Sequence, residues 1–194
     1  MPKFNELYSE DYLIKARAFV ELTWKEKRED LLPVLCNIIL NEIDDEWRLR
    51  ALDVLAVWQA KEEIPNLEKL YLDNDPVMVR GLMWFIITVG DKEAIYRMLE
   101  FAVSPRGRII RSETVLEMLT QAIQKNNIIL TDIEEFKQKN TTIKRFIDGW
   151  EFKDDLPRLL TVYPSADFIA LRCKEKGIPF KEYKKINYKN NDIK

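Results

Sequence analysis

The sequence predicts an all-α protein built from antiparallel helix pairs, and three observations carry that expectation. Apolar residues recur at helical spacing over long segments. Short clusters of Asp, Asn, Gly and Pro separate those segments, as tight turns between helices require. Only five glycines and eight prolines punctuate 194 residues, too few for the many turns of a sandwich or barrel. An apolar content of 46%, with 11% aromatic, is enough for a packed core and excludes disorder over most of the length.

The first helix is expected from about Ser9 to Leu22, with Ser9 as N-cap and Glu10 and Asp11 in its first turn, where acids suit the helix dipole. Asp30 is placed to cap a second helix, in which Pro33 falls within the tolerated first turn. Leu31, Val34, Leu35, Ile38 and Ile39 give that helix its apolar face. Asp44 and Asp45 open a third helix reaching about Ala60, and a fourth covers Glu62 to Leu72. The fifth spans Pro76 to Val89, with Gly90 as a left-handed C-cap. Asp91 caps the sixth, which ends near Ser104 and Pro105, and a seventh runs from about Arg108 to Lys125.

These pairs repeat. Asp44-Asp45-Glu46-Trp47-Arg48-Leu49-Arg50-Ala51-Leu52 is echoed by Asp73-Asn74-Asp75-Pro76-Val77-Met78-Val79-Arg80-Gly81-Leu82. Arg50, Arg80 and Arg111 recur at spacings of 30 and 31, and Tyr12-Leu13-Ile14-Lys15-Ala16 echoes Trp47 to Ala51 at 35. An acidic turn, an apolar residue before an arginine, then a small residue and a leucine resembles the short HEAT-like repeat named after the phycobilisome lyases. The resemblance covers about Asp30 to Lys125, with a degenerate unit before it, and implies an α-α superhelix, or solenoid. In that family the turn acid and helix arginine form a ladder between neighbouring repeats. The resemblance assigns Asp44 or Asp45 with Arg50, and Asp73 or Asp75 with Arg80, to that ladder. Arg111 follows Ser104-Pro105-Arg106-Gly107 and lacks a matching acid, as befits an atypical terminal repeat.

Beyond Lys125 the pattern changes, so residues 1–125 read as the repeats, 126–180 as a mainly helical C-terminal extension and 181–194 as a basic tail. Thr131 and Glu134 fit a capping box, and Thr141 or Thr142 opens another helix near Phe146. Arg158 to Tyr163 allows a brief extended segment, although helices are preferred because strands without a larger sheet would be unstable, and Ser165 is placed to cap a last helix from Ala166 to Lys176.

Chemistry is sparse. The chain has no histidine, which removes the commonest general base and zinc ligand. Cys36 lies on an apolar helical face and reads as a core residue; Cys173, between Arg172 and Lys174, also reads as structural. Two cysteines this far apart make no disulfide framework. The acidic pairs Asp44-Asp45, Asp73-x-Asp75, Glu134-Glu135 and Asp154-Asp155 stand where caps are needed, and there is no glycine-rich phosphate loop. The residues imply neither metal nor cofactor and favour binding over catalysis.

A binding surface is more legible. From Val77 to Val89 only Arg80, Gly81 and Thr88 interrupt an apolar helix, and Leu49 to Trp58 is interrupted only by Arg50 and Asp53. A helix in a two-layer array keeps one polar face, so something must cover the surplus. Either the rest of the chain does so, or a partner docks on the concave face with Trp47, Trp58 and Trp84 as anchors. Arg106, Arg108 and Arg111 crowd a helix N-terminus against its dipole and are further contact candidates, as is Arg80.

The net charge of −2 is unevenly spread: eight Lys/Arg stand against three Asp/Glu from Arg172 to Lys194, leaving the remainder at −7. An acidic body suits a basic protein partner better than nucleic acid. The sequence shows neither a signal peptide nor a membrane span, and a cytoplasmic protein is expected. The expected function is non-enzymatic protein binding, as an adaptor, inhibitor or immunity-type protein of open oligomeric state. The alternative is a DNA-binding protein resembling the HEAT-like alkylpurine DNA glycosylases, with Trp47, Arg80, Trp84 and Arg111 as the echo. A tetrapyrrole or modification lyase is implied only by the repeat's name.

Overall fold

The computed structural model describes residues 4–72, 75–125 and 127–151. The segment Arg158 to Tyr163, the helix expected from Ala166 and the basic tail 181–194 lie outside the described residues, as do Asp73 and Cys173. The described residues are helical or in turns and contain no strand. The chain divides into two compact units, Met1–Asp132 and Ile133–Lys194.

In the first unit a 3-10 turn at Phe4–Tyr8 precedes α1 (Tyr12–Thr23), α2 (Leu32–Asn41), α3 (Asp45–Val57) and a short α4 (Ile64–Leu67). The 3-10 turns at Lys61–Glu63 and Glu68–Leu72 flank α4, so the expected fourth helix is mostly 3-10. Next come α5 (Pro76–Val89), α6 (Lys92–Ala102) and α7 (Ser112–Gln124); α8 (Leu130–Lys139) then leads into the second unit.

Aspartates start four of these helices by accepting otherwise orphaned N–H groups: Asp11 from Leu13 and Ile14, Asp44 from Glu46, Asp75 from Val77 and Met78, and Asp91 from Ala94. Two expected caps shift. Ser9 accepts from the Asp11 N–H one step earlier, because Asp11 itself takes the cap. Asp30 pairs with Arg28 across a 3-10 turn at Glu29–Leu31 that delivers the chain into α2. Gly90 is not left-handed: its φ of −72° and ψ of 154° carry the chain straight to the Asp91 cap. The left-handed residue is Gln59 at φ 53°, in the Schellman turn that ends α3, with the Ala60 N–H on the Leu55 carbonyl and the Gln59 N–H on that of Ala56.

Packing follows the helix pairs. α3 lies against α1, α2 and α5, and α5 against α3, α6 and α7. Leu35, Ile39, Leu55, Leu82, Ile86, Ile95 and Leu99 are wholly buried. Each such side chain contributes about 2 kcal/mol by leaving water, an upper figure for a chain that unfolds to a compact ensemble. Gly81 permits close approach of α3 and α5: a β-carbon there would stand 2.7 Å from Leu49 Cδ2. Gly107 is more constrained, since its β-carbon would fall 2.1 Å from the Phe101 carbonyl oxygen. That contact accounts for the glycine in Arg106-Gly107-Arg108.

Arg48, two residues before the expected Arg50, makes an acid–arginine bridge between neighbouring helix pairs. Arg48, only 8% exposed, donates from Nε to the Ile39 carbonyl at 2.8 Å. Its Nη1 donates to Asp45 at 3.1 Å and to Asp75, the α5 cap, at 3.3 Å. Arg50, assigned to this role from the sequence, instead pairs with Glu46 on its own helix at 2.8 Å. The physical reason is helical phase: Arg48 faces the buried seam with α2 and the α5 cap, whereas Arg50 lies at the half-exposed edge. Arg80 is exposed and pairs with no acid among the described residues, Asp75 included; the alternative acid, Asp73, lies outside them.

In the second unit α8 is followed by α9 (Thr141–Glu151). The N-cap of α9 is Asn140, whose side-chain oxygen accepts from Thr142 and Ile143, rather than either threonine. Thr131 likewise stands inside α8; Asp132 accepts the Ile129 N–H at its start. Lys137 joins α8 to α9 through Asp148 at 2.8 Å.

Candidate functional site

The α3, α5 and α7 helices of the first unit frame an open groove of about 520 Å³. α3 supplies Leu49, Asp53 and Ala56, α5 supplies Val77, Arg80, Trp84 and Thr88, and α7 supplies Thr114 and Glu117, with Gly81 among the lining residues. Val77, Arg80, Trp84 and Thr88 recur every three or four residues, which puts them on one face of α5. The surplus apolar surface of α5 is therefore nearly all buried by packing, and only Val77, at 37% exposed, and Trp84, at 39%, remain accessible.

The sequence-predicted anchors separate sharply. Trp84 lines the groove, whereas Trp47 and Trp58 are each 6% exposed and belong to the core. Trp58 turns its indole N–H onto the Leu22 and Lys25 carbonyls, both at 3.1 Å, and so ties α3 to the end of α1. Trp47 stacks on Phe19 at 5.8 Å and tilts against Tyr12 at 5.1 Å, with the Lys15 ammonium 4.8 Å above its ring. Neither is available as an anchor. Arg106, Arg108 and Arg111 are exposed around the turn Arg106–Ile109 and the start of α7, outside the groove lining. Of the seven candidates, the structure brings Arg80 and Trp84 together.

Asp53 and Glu117 were missed as site residues. Asp53 did leave a signal, as a lone acid interrupting the apolar run of α3; Glu117 is an ordinary helix-surface glutamate and leaves none. Neither has a hydrogen-bond or ion-pair partner among the described residues. Burial raises the Asp53 carboxyl above its ordinary range, opposed by the Arg50 charge. At the Thr88 end, Lys125 donates to the threonine hydroxyl at 3.3 Å.

Two ionisable groups outside the groove have structural roles. Lys15 Nζ reaches Glu42 at 2.8 Å, and this hydrogen bond, with help from the Ile43 N–H, holds the Glu42 carboxyl below its ordinary 4.5. A depressed carboxylate stabilises the fold above its unfolded pKa and loses that contribution as pH falls through the folded one. Glu42→Gln is expected to cost about 1–2 kcal/mol at pH 7, and the difference should shrink as pH falls below 4.5. Urea titrations of both proteins across that range check it; a pH-independent difference would assign the effect to packing.

Cys36 is buried and donates to Glu63 at 3.1 Å; burial first, and then Glu63, pushes its thiol up to about 12. That placement fits a core residue. With Cys173 changed to serine, alkylation of the native protein at neutral pH should run at least about thirtyfold slower than for an ordinary thiol, because little thiolate forms and the sulfur is buried. Prompt labelling without unfolding would contradict this burial.

Among the described residues no cluster of three or more His, Cys, Asp or Glu is arranged to hold a metal ion, and no helix is long and apolar enough to cross a membrane. The chain matches no protein-family model, no curated protein and no solved structure.

Proposed function

We propose that the first unit is a HEAT-like helical-repeat array that binds a protein partner in the groove of α3, α5 and α7. An adaptor, an inhibitor and an immunity-type protein all act in this way. The observation that carries the reading is Trp84: on a helix whose other bulky apolar side chains are buried except Val77, the indole stays 39% exposed inside a groove. Tryptophans in such settings dominate interface energies, at about 2 kcal/mol or more each. The inter-pair bridge from Arg48 to Asp75 supports the repeat assignment, since it joins the helix of one pair to the cap of the next. The groove's charges favour protein over nucleic acid, because Asp53 and Glu117 would face phosphates with only Arg80 in the lining to offset them.

The test is affinity purification of the full chain from its native host, run in parallel with Trp84→Glu. The expected result is a stoichiometric protein that the wild type retains and the variant loses, with both proteins equally folded by circular dichroism. Equal retention by the variant, or a nuclease-sensitive eluate without protein, would overturn the reading.

A further inference from the structure

We infer that this groove holds one cationic side chain, an arginine or lysine, of a protein partner, seated on Trp84 between Asp53 and Glu117. The inference rests on the groove being the docking site and adds the chemistry of what docks. Trp84 stands on the middle helix, with one acid on each flanking helix, α3 and α7. An indole face attracts a cation through its quadrupole, and desolvation strengthens the attraction. Asp53, exposed on α3, and Glu117, half-buried on α7, have no hydrogen-bond or ion-pair partner among the described residues and supply the counter-charge. Water solvates both groups in the free protein, so they are open to pair with a cation brought from outside.

The ends of the groove set the register. Arg80 lies one helical turn before Trp84, and Thr88, holding Lys125, lies one turn after it. With Arg80 and Lys125 as the cations along α5 and Asp53 and Glu117 as the lining acids, the groove accepts a single cation and disfavours a run of them. Elsewhere the molecule offers weaker candidates: the Leu13, Val20 and Trp24 stripe of α1 is exposed, but nothing on it specifies an occupant.

The experiment follows the Trp84 indole N–H of the full chain by NMR, with the signal assigned through Trp84→Phe. Three blocked pentapeptides, acetyl-Ala-Leu-Xaa-Leu-Ala-amide with arginine, citrulline or norleucine at Xaa, are titrated to millimolar concentration. The arginine peptide is expected to shift the signal and to bind at least ten times tighter than the citrulline peptide. Asp53→Asn with Glu117→Gln should abolish that preference, and Arg80→Glu should sharpen it several-fold at low salt. Equal binding of all three peptides, or a preference that survives the double variant, would overturn the cation site while leaving the groove as a docking surface. No shift with the arginine peptide also overturns the cation site. The docking reading then stands or falls separately on whether Trp84→Glu loses the purified partner.

Discussion

Arg48→Ala is expected to lower the unfolding free energy by about 3 kcal/mol, with Arg50→Ala costing less than about 1. The two arginines are two residues apart and chemically identical, so the contrast isolates position. Arg48 is buried, satisfies the Ile39 carbonyl and neutralises Asp45 and Asp75 at once; truncating it strips that carbonyl of its donor and both acids of their counter-charge, while Asp75 keeps its cap bonds. The acids are partly exposed, at 41% and 28% of their side chains, so water recovers some of the loss and the cost stays near the lower end for a broken buried pair. Arg50 pairs with Glu46, itself 42% exposed, and contributes mainly through its place 5.6 Å from the Trp47 ring. Urea unfolding with an unchanged m-value measures both. If Arg50→Ala proved the more damaging, Arg50 would be the ladder arginine after all.

Trp58→Ala is expected to cost about 4 kcal/mol, and Trp84→Ala no more than about 1. Removing Trp58 leaves a cavity at the junction of α1 and α3 and strips the Leu22 and Lys25 carbonyls of their donor. Trp84 already meets solvent, so its loss opens a groove instead of a void. Thermal melts of the two variants report the difference directly. Comparable destabilisation by both would make Trp84 a core residue and remove the anchor on which the binding proposal depends.

The fold was legible because its signals are local. Asp44, Asp75 and Asp91 cap helices where the sequence placed them, and α5 spans Pro76 to Val89 as expected. What failed was helical phase and competition between neighbours. Asp11 outcompetes Ser9 for the first cap, and Arg48 outcompetes Arg50 for the bridge, because a rotation of about 200° over two residues decides which side chain meets the next pair. The site was legible only in part for the same reason. Two apolar runs with three tryptophans in or beside them announce a surplus of hydrophobic surface, but only packing reveals that Trp47 and Trp58 spend theirs inside. Asp53 and Glu117 converge from helices far apart in the chain, and no spacing rule reports such convergence.

The central claim, that a protein docks on Trp84, is tested most directly by photo-crosslinking in the native host. A benzophenone amino acid is placed at position 84 in one strain and at position 24, where Trp24 is 84% exposed on the first unit, in another. The account predicts one discrete protein adduct from position 84 and none of the same mass from position 24. Adducts to nucleic acid from position 84, or the same protein captured only from position 24, would contradict it.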